Sequence, residues 1–168
     1  MYPIARQIYS VSFSNTPATG VDKDIFELIT STNSRVKLRE VRLSQSTAAV
    51  LGATEVELLS VAIHRGATVA AIGGSTSTPV KRDPRQRVAD AVVVVNSSTP
   101  GSGSTGLADL LFAGQFLTGE EFLWRPPEDE RPLIGLGERL SVRLGASAQT
   151  ITLQGTMTFE EVGKVPEE

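Results

Sequence analysis

Polar and apolar side chains take turns along much of this chain, most clearly near its C-terminal end. From 149 to 159 the odd positions Ile151, Leu153, Met157 and Phe159 are apolar, whereas Thr150, Thr152, Gln154, Thr156 and Thr158 are polar. Successive side chains of a strand point to opposite faces, so a period of two gives one dry face and one wet face. The pattern predicts a half-buried antiparallel strand, and Gly155 in mid-run predicts a bulge or a close neighbour. The same period recurs in Tyr9, Val11 and Phe13, in Leu59, Val61 and Ile63, and in Leu140, Val142 and Leu144, while Ile25 to Ile29 is a short β-rich run. Between Val36-Lys37-Leu38 and Val41-Arg42-Leu43 the apolar parity switches from even to odd. A bulge or bend near Arg39-Glu40 would keep both halves facing the core. Ala91 to Val95 reads as a strand buried on both faces or covered by a neighbour. Residues 107–117 fit a helix, through Leu107, Leu110 and Leu111, as well as a strand, and periodicity leaves the choice open.

Turn chemistry separates the runs at Asn15-Thr16-Pro17, Thr32-Asn33-Ser34, Gly73-Gly74, Asp83-Pro84, Pro100-Gly101, Pro126-Pro127 and Gly145. About eight to ten short strands at this spacing predict an all-β fold, an antiparallel β-sandwich of jelly-roll-like type. The expected organisation is an N-terminal arm over residues 1–6, one sandwich domain over 7–163 and a disordered tail over 164–168. A chain of 168 residues is long enough to bury a core without covalent staples.

Composition narrows the chemistry. With Cys 0, disulfides, thiol nucleophiles and cysteine metal sites are excluded. His64 is the one histidine, so a metal centre built on two or three histidines is excluded, and a Ser–His–Asp triad would have to use His64. No cofactor is expected and no enzymatic activity. The net charge of −3 gives no whole-molecule attraction to nucleic acid or to an anionic membrane, and neither is expected as a partner. No stretch has signal-peptide character or membrane-spanning length, so synthesis in the cytoplasm is the expectation. Arg outnumbers Lys by 12 to 4, and the planar guanidinium fork suits ordered interface pairs.

Several local patterns carry possible chemistry. Gly101-Ser102-Gly103-Ser104-Thr105-Gly106 matches the dinucleotide fingerprint GxGxxG, but Asn96 to Pro100 separates it from the preceding valine strand, and the chain does not read as βαβ. A surface loop is the expected reading. His64 falls on the face opposite Val61 and Ile63, as an ordinary strand histidine. Glu120-Glu121 and Glu128-Asp129-Glu130 invite comparison with a glycosidase acid pair, yet such a pair needs a fixed cleft, and a chain with Trp 1 and Tyr 2 offers few rings for sugar stacking. The basic run Lys81 to Arg87 has no interleaved aromatic to stack a base. It reads either as a solvated loop or as a docking element, with Arg82, Arg85 and Arg87 facing Glu128 and Glu130 of another copy or a charged partner. Tyr2 and Ile4 of the arm, and Phe122 and Trp124 as exposed apolar ends, are the further contact candidates, the alternative being a disordered terminus and ordinary core.

Three stretches together carry a family resemblance. They are Val41-Arg42-Leu43-Ser44-Gln45-Ser46 followed by Glu57 to Gly66; Thr78-Pro79-Val80 with Asp83-Pro84; and Arg125-Pro126-Pro127-Glu128 through Arg131-Pro132, Gly137 to Leu144 and Gly155 to Glu161. Over most of residues 36–162 the chain resembles small jelly-roll-like virion proteins of tailed bacteriophages, the capsid decoration or cement proteins. The resemblance implies a non-enzymatic structural protein on the capsid surface of the virion. Its implied partners are the major capsid protein and other copies of itself, as a homo-oligomer of trimer type. It brings no catalytic residues. A reading from a different class is a glycan- or receptor-binding module on a head fibre or tail, which the scarcity of aromatics disfavours.

Overall fold

The computed structural model describes residues 6–17, 20–46, 57–102, 110–148 and 151–163. Among them are twelve strands: β1 (Gln7–Pro17), β2 (Lys23–Ile29), β3 (Ser34–Gln45), β4 (Leu58–Arg65), β5 (Ser75–Ser77), β6 (Val80–Lys81), β7 (Val92–Val95), β8 (Leu110–Leu117), β9 (Phe122–Trp124), β10 (Leu133–Ile134), β11 (Arg139–Leu144) and β12 (Thr152–Gly163). They form two antiparallel six-stranded sheets. The first runs β10-β3-β12-β1-β6 with β9 also on β3, and the second runs β5-β7-β2-β11-β4-β8. The ambiguous 107–117 segment is strand from Leu110 onward.

The topology is that of a jelly roll. With β5 to β7 set aside as an insertion and β9 and β10 taken as two pieces of one interrupted strand, eight strands remain. They pair first with last and inward: β1 with β12, β2 with β11, β3 with β9 and β10, and β4 with β8. This is one long hairpin of nested pairs. Rolled up, it is joined by β12 on β3 and β11 on β4, giving two interlocked Greek keys. The strand count exceeds the expected eight to ten because β5 and β6, of three and two residues, are too short to show an alternation. In addition, Pro126 and Pro127, which cannot donate to a ladder, lie in the gap between β9 and β10.

The dry face is the alternating set read from the sequence. Tyr9, Leu38, Leu43, Leu59, Ile63, Leu140, Leu153, Met157 and Phe159 are all buried. The parity switch in β3 is a bulge at Arg39. Glu40 pairs with Thr158 and Leu38 with Phe159, so Arg39 is the extra residue, and Val36, Leu38, Val41 and Leu43 all reach the core. Gly155 answers a close approach, since a Cβ there would stand 2.7 Å from both Leu43 Cδ2 and Phe13 Cε1. The neighbouring irregularity lies on β1, between Phe13 and Thr16. Aromatic rings join the sheets at two places: Phe13 of β1 lies 5.1 Å from Phe26 of β2, and Phe122 of β9 lies 5.7 Å from Phe116 of β8.

One expectation is corrected. Ala91 to Val95 is not buried on both faces: Val93 and Val95 are buried, while Val92 is 46% exposed. The strand nearer the middle of the second sheet, β2, is the one covered on both sides, with six of its seven residues buried. Its cover comes from the insertion over 66–102, which pairs β7 with β2 and β5 with β7, brings Ala71 and Gly101 onto the β2 carboxylates and carries β6 across to β1.

Candidate functional site

The two outer faces of the sandwich differ, and the difference locates the surface available for contact. On the second sheet, carboxylates of β2 hold the insertion down. Asp24 accepts Gly101 N–H at 2.7 Å and pairs with Arg143 at 2.8 Å, and Arg143 in turn donates to Gly101 C=O at 2.7 Å. Glu27 accepts Ala71 N–H at 3.1 Å and pairs with Arg139 at 3.2 Å. Gly101 is buried, and a Cβ there would stand 2.9 Å from Val69 C=O. The first glycine of the apparent nucleotide fingerprint thus gives its amide to a carboxylate within the chain, where a phosphate would need it free. Residues 103–106 of that motif lie outside the described residues.

The outer face of the first sheet is laid down by the wet half of the alternation. Ser10, Ser12 and Ser14 of β1, Gln154, Thr156 and Thr158 of β12, and Arg39, Arg42 and Ser44 of β3 come from the positions between buried ones. They cross-link in register: Ser12 with Thr156 at 2.9 Å, Ser10 with Thr158 at 3.4 Å, and Gln154 Nε2 donating to Ser44 Oγ at 3.2 Å. Such cross-strand pairs contribute about 0.2–1 kcal/mol each.

Two grooves open on this face. One, of about 560 Å³, runs over Ser12, Ser14, Ser44, Gln154 and Thr156 beside Arg42 and Glu121. The other, of about 310 Å³, is lined by Ile8, Arg39, Glu40, Arg82, Arg125, Arg131 and Thr158. Ion pairs link Arg39 to Glu160 at 2.7 Å and Arg42 to Glu121 at 3.2 Å, and Glu40 binds Arg125. Loops and strands far apart in sequence meet here, and only the register of β1, β12 and β3 brings them together.

The predicted interface residues fall in several places. Arg82 lies on this face, donating to Ser10 Oγ at 3.1 Å and to Thr158 Oγ1 at 3.4 Å. Arg87 is engaged within the chain, bound to Gln7 at 2.7 Å and Asp90 at 2.8 Å. Glu128 pairs with Arg6 at 2.7 Å. Arg87 and Glu128 therefore each have a partner within the chain. Arg85 and Glu130 are exposed, with no ion pair among the described residues. Phe122 is not an exposed end: it is 7% exposed and sits against Phe112 and Phe116, because pairing opposite the buried Leu43 of β3 turns it inward. Trp124, on the same side of β9, is half-buried, with its ring 6.1 Å from Phe112. Tyr2 and Ile4 lie outside the described residues. Sequence reading missed Arg39, Arg125 and Arg131. The available signal was the parity switch that marks Arg39.

His64 lies opposite Ser141 in the β4–β11 register, yet the buried Ser141 Oγ has no hydrogen-bond partner, so the two form no nucleophile–base couple. Among the described residues no group of three or more His, Cys, Asp and Glu could hold a metal ion, and no helix is long and apolar enough to cross a membrane.

Beneath the basic loop, burial pushes the Glu161 carboxyl above its ordinary range, against the lowering effect of Ala91 N–H, which it accepts at 2.7 Å, and of Arg87. A raised folded pKa favours the protonated form on folding. Its contribution is therefore full below the ordinary value of 4.5 and is lost as pH rises through the elevated one. Relative to Glu161→Gln, the wild type will lose stability from acid to neutral pH, read from urea midpoints across a pH series. A difference that stays constant, or that grows in favour of the wild type, contradicts this.

No family model matches the chain, and no curated protein matches it. Among solved structures, a chain from the crystal structure of the T13 IBDV viral particle, which "reveals a missing link in icosahedral viruses evolution", is similar to it at 14% identity with a TM-score of 0.21. The likeness covers 95% of this chain and 40% of that one, so this chain spans well under half of that protein's length.

Proposed function

We propose that the protein is a non-enzymatic structural component of a virion, a decoration protein that seats on the capsid surface and stabilises the shell of major capsid protein. It self-associates, as a trimer, and engages the shell through the outer face of the first sheet. The observation that carries this reading is the asymmetry of the jelly roll. One face is closed by the 66–102 insertion, which buried carboxylates hold in place, and the other presents a cross-linked polar surface with two grooves. Jelly rolls recur in capsid domains, and the sequence resemblance to phage decoration proteins points the same way. A clamp of this kind stabilises a shell when it binds the assembled lattice better than free subunits, and many modest contacts sum by multivalency.

The larger groove favours a second reading. Its hydroxyl and amide groups suit a glycan, and jelly rolls also serve as lectin domains. Against it, the one ring lining that groove, Phe13, is 7% exposed and offers no stacking platform.

Sedimentation of the purified protein alone and with empty phage capsids tests the proposal. The expected outcome is a discrete oligomer that co-sediments with capsids and raises their melting midpoint. A monomer that ignores capsids overturns it, and selective binding on a glycan array transfers the assignment to the second reading.

A further inference from the structure

The smaller groove carries more positive charge than its surroundings neutralise. Four arginines line it, Arg39, Arg82, Arg125 and Arg131, against the single acidic residue Glu40. Arg39 is matched by Glu160 at 2.7 Å, and Arg125 is matched by Glu40, whose carboxylate also meets Arg42 at 3.5 Å. Arg82 donates to the hydroxyls of Ser10 and Thr158, and among the described residues no carboxylate pairs with it. Arg131 is left with a buried Nε that has no hydrogen-bond partner. A buried guanidinium donor without an acceptor is costly, and an incoming oxyanion removes that cost.

We infer that this groove is a carboxylate-binding site, which takes a Glu or Asp side chain from an acidic segment of a partner protein between Arg82 and Arg131. One Arg–carboxylate pair, Arg125 with Glu40, already lies in the groove, and an arginine's planar donors suit a carboxylate better than a point charge would. At about 310 Å³ it has room for one or two side chains, and Ile8 provides an apolar wall for their methylenes. No aromatic lines it, which removes the stacking that a nucleic-acid base or a sugar ring would use. With a whole-chain charge of −3, recognition is local, acting within a Debye length of the groove. The site stands on this geometry alone and does not depend on the protein being part of a virion.

Titration with a hexaglutamate peptide, followed by calorimetry and by amide chemical shifts, tests the site, with a hexaglutamine peptide and inorganic phosphate as comparison probes. Hexaglutamate is expected to bind, to shift amides around Arg39, Arg82 and Thr158, and to weaken as salt rises. Arg82→Gln and Arg131→Gln are each expected to lower affinity about tenfold, while Arg85→Gln, in the same basic loop but outside the groove, leaves it unchanged. Arg82 is exposed, so Arg82→Gln carries the test if Arg131→Gln fails to fold. Equal loss in Arg85→Gln, binding of hexaglutamine as tight as that of hexaglutamate, tighter binding of phosphate than of the peptide, or no binding of hexaglutamate would each overturn the assignment.

Discussion

Replacing Asp24 with alanine will lower the unfolding free energy by about 3–5 kcal/mol, the cost of removing one partner from a buried, hydrogen-bonded ion pair. Asp24 is fully buried and serves two groups at once, Arg143 at 2.8 Å and Gly101 N–H at 2.7 Å. The substitution strands a half-buried guanidinium and a buried amide together. At about 2–4 °C per kcal/mol for a chain of this size, the melting midpoint should fall by roughly 10 °C. Asp24→Asn keeps an acceptor for Gly101 but loses the charge on Arg143, and should fall in between. Limited proteolysis adds a local readout: in Asp24→Ala, cleavage should concentrate around 96–102, the part of the insertion that this carboxylate ties to β2. An unchanged melting curve and cleavage pattern would mean that the insertion is held by its backbone bonds to β2, Asn96 N–H to Ile25 C=O and Ser97 N–H to Asp24 C=O, instead.

Phe159→Ala should cost about as much, 3–5 kcal/mol, through an apolar cavity where the sandwich cannot collapse. Phe159 is fully buried on β12, the strand flanked by β1 and β3, and its ring lies 5.6 Å from that of Tyr9. Hydrogen-bonded strands on both sides leave the backbone little freedom to close the hole. The denaturant midpoint should drop while the slope stays the same, because the substitution changes stability and not the surface exposed on unfolding. Phe122→Ala, on the three-residue strand β9 and 7% exposed, has a more yielding setting and should cost less. If Phe122→Ala proves the costlier of the two, the sandwich depends more on the rings that join β8 to β9 than on the centre of the first sheet.

The two substitutions probe parts of the molecule that were unequally legible in the amino-acid order. Phe159 sits in an eleven-residue run whose alternation already assigned it to the dry face, and Arg39 was marked as a bulge by a parity switch that could not otherwise keep Val36 and Val41 in one core. Asp24 had no such signal. It falls next to Ile25 in a run that looks like any short strand, and its partners lie 77 and 119 positions away. Gly101 was misleading on its own, since its spacing to Gly103 and Gly106 fits a phosphate loop until a buried carboxylate is seen on its amide. Phe122 failed for a different reason. A three-residue strand is too short to declare its inward side by period, so only the sheet it joins could do so.

What the sequence determined alone is the all-β class and most of the core, because the period of two is a local property of each strand and survives without knowledge of neighbours. It also determined what the chain lacks for chemistry: no cysteine and a single histidine. The tertiary structure decided the nesting of strands into a jelly roll, the closing of one face by the insertion, and the meeting of Arg39, Arg82, Arg125 and Arg131 in one groove. Those features depend on which strands pair and in what register. Pairing across tens of residues is fixed by the shared burial of all the strands at once, a quantity that no single segment contains.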